Sequence, residues 1–194
     1  MTARLTRRGP LSQGQHLFWL EEFRGAGCGW ANVIIDIGIP PGASQEDVLA
    51  TINALVERHE ALRTCFLADK PVQVVHPPRP VAAELIHVED GREVRAAAER
   101  ACADAGWHRI DLVREFPLRA RLIMVGSTPA RLIITANHVA MDGVSMEILR
   151  SEFGTLLRGR MDGGPADLPP VTDQPIDLAR RERSPAGQRA NTEA

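Results

Sequence analysis

Lysine is almost missing from this chain. Lys70 is the only one, and arginine carries nearly all the positive charge. With the abundance of Ala, Arg, Gly and Pro, this bias reflects GC-rich coding DNA and not function. An excess of either sign is also missing: 23 basic side chains face 25 acidic ones, for a net charge of −2 and a pI near 6.3. No basic field exists to attract nucleic acid or an anionic bilayer, and the expected partners include neither. Cysteine is scarce. Cys28, Cys65 and Cys102 are odd in number, far apart, and lack the Cys-x-x-Cys or Cys-His spacing of a zinc site. They read as buried free thiols of a reducing cytoplasm. Long apolar runs are absent too. The N-terminal MTARLTRRGPLSQGQ has basic residues with no apolar stretch behind them, and no run reaches the roughly 18 apolar residues of a spanning helix. A soluble cytoplasmic protein without a targeting segment is the expectation.

What is present fits one substantial domain. The 194 residues are 44% hydrophobic and 25% charged, an ordinary globular balance and neither a disordered nor a membrane one. Ser12-Gln13-Gly14-Gln15 has the form of a capping box and opens a helix to about Phe23. A break at Gly25, Gly27 and Gly29 leads to a β-branched strand from Asn32 to Ile39, closed by Pro40-Pro41-Gly42. Ser44 caps a second helix through about His59, with Val48, Ile52, Leu55 and Val56 at helical spacing. Leu62–Leu67 and Val72–His76 form a hairpin around Asp69-Lys70-Pro71, and Leu85–Val88 is a further strand. An Ala-rich helix starts at Asp90-Gly91 and runs to about Ala105, with irregular chain from Trp107 to Glu115. Leu118–Val125 and Arg131–Ala136 are the clearest strand pair, and Gly143–Leu157 is helical. This order lacks strict βαβ alternation, which implies an α/β two-layer sandwich of a mixed, largely antiparallel sheet with helices.

The stretch ITANHVAMDGVSMEIL places His138 where a strand gives way to a helix. Imidazoles titrate near ~6.5 and can take and return a proton at neutral pH. Four positions on stands Asp142, then Gly143, whose backbone freedom would suit a tight loop presenting the ring. The plainer alternative is that His138 ends a strand as a satisfied polar residue and Asp142 merely caps the following helix.

Asn137-His138-x-x-x-Asp142-Gly143 resembles the His-His-x-x-x-Asp-Gly motif of nonribosomal peptide synthetase condensation domains and their chloramphenicol-acetyltransferase-like relatives. LSQGQHLFWLEE, residues 11–22, resembles that family's opening Ser-x-x-Gln-x-x-x-Trp motif, and RHEALRTCF, residues 58–66, resembles its second. The resemblance implies a chloramphenicol-acetyltransferase-like fold in which His138 is the catalytic histidine, assisting amine attack on an acyl thioester or stabilising the tetrahedral intermediate. Asp142 would be structural, salt-bridged to Arg63, and the Gly143 backbone N–H would approach the reaction centre. Asn137 replaces the motif's first histidine with a neutral residue that hydrogen-bonds but does not titrate.

The resemblance covers the N-terminal half of such a domain. It divides the chain into an arm at 1–10, an N-terminal subdomain at 11–159 and a linker at 160–194 leading toward a second subdomain. The implied function is acyl or peptidyl transfer from a carrier-protein phosphopantetheine thioester to an amine or hydroxyl, with peptidyl or acyl carrier proteins and a second subdomain as partners. No intrinsic cofactor or metal is implied, and the half-domain alone is expected to be inactive. The alternative is a non-catalytic module that docks a carrier or partner protein. His16, His59, His76, His87 and His108 show no paired metal-ligand spacing, Trp19 and Trp30 read as core, and Ser145 lacks a Gly-x-Ser-x-Gly context.

Overall fold

The computed structural model describes residues 6–25 and 31–187. Gly27, Cys28, Gly29 and Trp30, and the terminal residues 1–5 and 188–194, lie outside the described residues, so the expectations placed on them have no structural counterpart here.

The elements run β1 (Arg7–Pro10), α1 (Gln13–Arg24), β2 (Asn32–Gly38), α2 (Gln45–Arg58), a 3-10 turn (Glu60–Arg63), β3 (Thr64–Phe66), β4 (Val72–Val75), β5 (Ala83–Val88), α3 (Val94–Ala105), β6 (Leu118–Val125), β7 (Thr128–Asn137), α4 (Gly143–Met161) and α5 (Pro175–Glu182). Local chemistry sets several boundaries. Ser12 and Gln15 close the capping box of α1, and Ser44 and Asp47 close that of α2. Gly126, at φ 60°, makes the β6–β7 turn, and Thr128 and Pro129 belong to the returning strand.

The strands form two sheets, ordered β2-β7-β6-β5 and β1-β4-β3. Every pair is antiparallel except β5 with β6, so the mixed, largely antiparallel α/β arrangement expected from the sequence is the one formed. The larger sheet is covered on both faces. On one, Val48, Ile52, Leu55 and Val56 of α2 and Leu149, Phe153 and Leu157 of α4 pack on Ile35, Leu122, Leu132 and Ile134. On the other, Ala97, Ala98 and Ala101 of α3 lie against Ile123 and Ile133. The four α2 side chains are at most 1% exposed, and full burial of each is worth ~1.5–3 kcal/mol. Strand β7 is central, so the chain that leaves its C-terminal end does so from the best-supported part of the sheet.

Two segments of low apolar density are nonetheless ordered. The arm contributes β1, a polar edge strand paired with β4. The linker contains α5, whose Ile176 and Ala179 are fully buried. Neither has the apolar density of a core element; each is ordered by what it packs against.

Candidate active site

Strand β7 ends at Asn137, opposite Asn32 of β2, and the next five residues turn sharply into α4. Buried Asn137 builds that turn: its Oδ1 accepts the Val139 N–H at 3.0 Å and its carbonyl accepts the Ala140 N–H at 2.9 Å. The His138 N–H donates to the Ala31 carbonyl at 2.6 Å. Asn137 therefore organises the loop through its own backbone neighbourhood, a task that needs an amide or carboxylate oxygen and not a titrating ring.

Asp142 is the N-cap of α4, accepting the Ser145 N–H at 2.8 Å and the Ser145 hydroxyl at 2.6 Å. The hydroxyl and then the N–H of Ser145 hold its carboxyl below the usual range, against a smaller opposing effect of burial. Arg63 is not its partner. That guanidinium, 6% exposed by residue, donates to the carbonyls of Val56, His76 and Glu57 and lies 3.7 Å from Glu60. Val56 and Glu57 offer two of the last α2 carbonyls, which have no partner within the helix, so Arg63 serves that helix end. The expected Arg63–Asp142 fork is corrected accordingly.

Gly143 makes no use of the backbone freedom particular to glycine. Its φ is not positive, and a Cβ there would meet nothing within 4 Å. It is the first residue of α4, beside the cleft described next and not among its lining residues.

His138 lines a cleft of about 820 Å³ together with Ser12, Phe18, His59, Asp142 and Leu178. Its ring lies flat against Phe18, centroids 4.1 Å apart and planes 12° apart. Its Nδ1 is buried with no hydrogen-bond partner among the described residues. That is not the satisfied polar residue of the plainer reading, although Asp142 does cap the helix as that reading has it. Next to this cleft a second one of about 470 Å³ shares His59, Ala61, Met141 and Ser145 and is floored by Leu149 and Glu152. There the buried Glu152 carboxylate accepts from Arg58 at 3.0 and 3.1 Å and sits 2.6 Å from His59 Nε2. Burial raises its pKa, but the hydrogen bonds from Arg58 and His59 outweigh burial and hold the group below the usual range. A further cavity of about 830 Å³, lined by Arg7, Glu57, Glu60 and Arg63, contains neither His138 nor Asp142. It is a structural junction in which Arg7 bridges Glu60 and Asp177.

Sequence reasoning missed Phe18, the Arg58–His59–Glu152 cluster and the α5 wall of the cleft. Phe18 was within reach, because Gln15, Phe18, Trp19 and Glu22 follow the i, i+3, i+4, i+7 spacing of one helix face. Trp19 is core, as expected: it is 3% exposed and its Nε1 donates to the Leu67 carbonyl at 2.7 Å. Cys65 and Cys102 are free thiols; Cys65 is buried and pushed up to about 11 by desolvation, Cys102 only half-buried. Among the described residues no three His, Cys, Asp or Glu side chains cluster as metal ligands, and no helix is long and apolar enough to cross a membrane.

A strand-to-helix turn that presents a histidine to a cleft, on a mixed sheet with a second small sheet beside it, fits a chloramphenicol-acetyltransferase-like fold. The chain belongs to the condensation-domain family, whose model matches residues 8–194. Among curated proteins it is 33% identical over 179 residues to phosphinothricin tripeptide synthetase PhsC of Streptomyces viridochromogenes, covering 90% of this chain and 16% of that protein. The X-domain from teicoplanin biosynthesis superposes with a TM-score of 0.74 at 22% identity over 99% of this chain and 42% of its own. The first condensation domain of the CDA synthetase gives 0.77 at 16% identity over 94% and 48%. The chain thus spans less than half the length of these relatives and structures.

Proposed function

We propose that this chain forms the N-terminal half of a condensation-type acyltransferase that joins a carrier-bound acyl or peptidyl thioester to an amine in nonribosomal peptide assembly. The observation that carries this reading is His138: its ring lines the 820 Å³ cleft while Nδ1 is buried, which leaves Nε2 to face substrate. The acceptor amine attacks the thioester carbonyl carbon, the C–N bond forms and the C–S bond breaks. Nε2 takes the amine proton and returns it to the departing thiolate. The thioester supplies the driving force, so the step consumes no nucleotide. The acyl group arrives on the phosphopantetheine of a carrier protein, and a second subdomain provides the opposite wall. The rim supports that arrangement: Leu17, Val144, Ile148 and Leu178, all between 44% and 71% exposed, belong to the helices around the two clefts.

The test is His138→Ala in the complete protein that contains this chain, with carrier-loaded donor and acceptor. Amide formation should fall ~10²-fold or more with the melting temperature unchanged. Undiminished turnover would remove His138 from the mechanism. A wild-type protein that binds loaded carrier but transfers nothing would establish the alternative, a docking module.

A further inference from the structure

We infer that Phe18 is the positioning residue for His138, and that a flat aromatic stack sets the plane of the catalytic ring where other acyl-transfer sites use a hydrogen-bonded carboxylate. The inference rests on the reading of His138 given above. In triad enzymes the histidine is oriented through Nδ1–H by a buried acid. Here Nδ1 is buried and makes no hydrogen bond among the described residues, so no carboxylate orients the ring through it. Asp142 Oδ1 receives both Ser145 donors, and the Asn137 side-chain oxygen receives the Val139 N–H. The ring is instead stacked on Phe18, with centroids 4.1 Å apart at 12°.

A stack orients a ring only if its other member is itself fixed, and Phe18 is. The capping box of Ser12 and Gln15 holds the start of α1. Gln73, fully buried, donates to the Pro10 carbonyl at 2.8 Å and to Gln15 Oε1 at 3.0 Å. One residue beyond Phe18, the Trp19 indole is anchored to the Leu67 carbonyl. Phe18 itself packs in the cluster of Leu11, Trp19, Phe66 and Val139. On the other side, the His138 backbone is tied to Ala31. Two separately anchored frames therefore meet ring to ring, so tilting the imidazole would require moving α1 or the loop.

Replacing Phe18 by Leu keeps apolar volume but removes the flat surface. In the complete protein, kcat should fall ~10- to 100-fold, the scale of a small misplacement of a reacting group. KM for the loaded carrier should stay within about twofold. Phe18→Tyr, which keeps the ring, should restore most of the loss. Independently of turnover, the His138 ring protons, assigned by their disappearance in His138→Ala, lie over the Phe18 face and should resonate upfield in wild type. They should return toward ordinary shifts in Phe18→Leu. His138 resonances and kcat that are both unchanged in Phe18→Leu would overturn the inference. Turnover lost in His138→Ala yet kept in Phe18→Leu removes the positioning role alone, whereas turnover that survives His138→Ala removes the reading on which it rests.

Discussion

Asp142 acts through a single oxygen, which receives both the N–H and the hydroxyl of Ser145. Loss of an N-cap side chain costs ~1 kcal/mol, so Asp142→Ala should destabilise the protein by about that much at pH 7. The pH dependence has a definite sign. The folded-state pKa is depressed, chiefly by the Ser145 hydroxyl, so the contribution is complete above the unfolded value of ~3.9 and disappears as pH falls through the lower folded value. Urea unfolding should show the gap between wild type and variant closing below about pH 4; an equal gap at pH 3 and pH 7 would point to packing instead of the ionised cap. At this scale the sequence was partly legible. The positions of His138 and Asp142 follow from short-range spacing, whereas the turn-building role of Asn137 emerges only in the folded loop. The partner of Arg63 does not, because its acceptors lie at Val56, Glu57 and His76, fixed only when the 3-10 turn is folded against β4.

Helix α2 is held at its C-terminal end by two charged devices, both beyond the reach of sequence periodicity. Arg63 gathers its last carbonyls, and Arg58 with His59 binds Glu152 of α4. Arg63→Met should cost roughly 2 kcal/mol, because it preserves volume but leaves the buried Val56 carbonyl without its donor and the half-buried His76 carbonyl with one fewer; guanidinium denaturation would measure it, and a cost under about 1 kcal/mol would mean that water replaces the guanidinium. Glu152→Gln should loosen the α2–α4 contact at neutral pH. Since the Glu152 carboxyl is lowered in the folded state once Arg58 and His59 outweigh burial, its contribution is present above the unfolded value of ~4.3 and lost as pH falls through the folded one. Wild type and Glu152→Gln should therefore converge in stability under acid and diverge at neutrality. Elements set by local signals were legible: the Ser12–Gln15 capping box, the Ser44 cap, the β6–β7 pair and the apolar stripe of α2. Strand β1 was not, because Arg7-Arg8-Gly9-Pro10 has no alternating apolar pattern and becomes a strand only through β4. Nor was the parallel pairing of β5 with β6, which depends on where α3 crosses the sheet.

The two ends of the described chain clasp one another, and the cleft depends on that clasp. Helix α5 packs on β1, with Ile176 fully buried above Gly9, where a Cβ would stand 3.0 Å from the Ile176 Cγ2 atom. Polar ties reinforce the seat: Arg7 reaches Asp177 at 3.0 Å, Arg183 donates to the Leu11 carbonyl, and the Gln13 N–H donates to Glu182 at 2.8 Å. A sequence reading finds a polar tail here because α5 offers so few apolar side chains, yet those few meet a gap that glycine leaves open. Pro175, Leu178 and Arg181 of the same segment line the cleft that holds His138, so the seat of α5 connects the stability of the N-terminal edge to the shape of the site. Ile176→Ala should cost ~2–4 kcal/mol, the range for removing a fully buried aliphatic side chain. It should also act locally first. Amide exchange should accelerate at Arg7, Arg8 and Gly9, which α5 covers, before it does so in β7, because elements with few contacts open at lower free energy than the central sheet. If β1 and β7 accelerate together, the clasp is part of the global unfolding unit. If β1 is unaffected, the ion pair to Arg7 holds α5 without Ile176, and the wall of the cleft stands on electrostatics rather than burial.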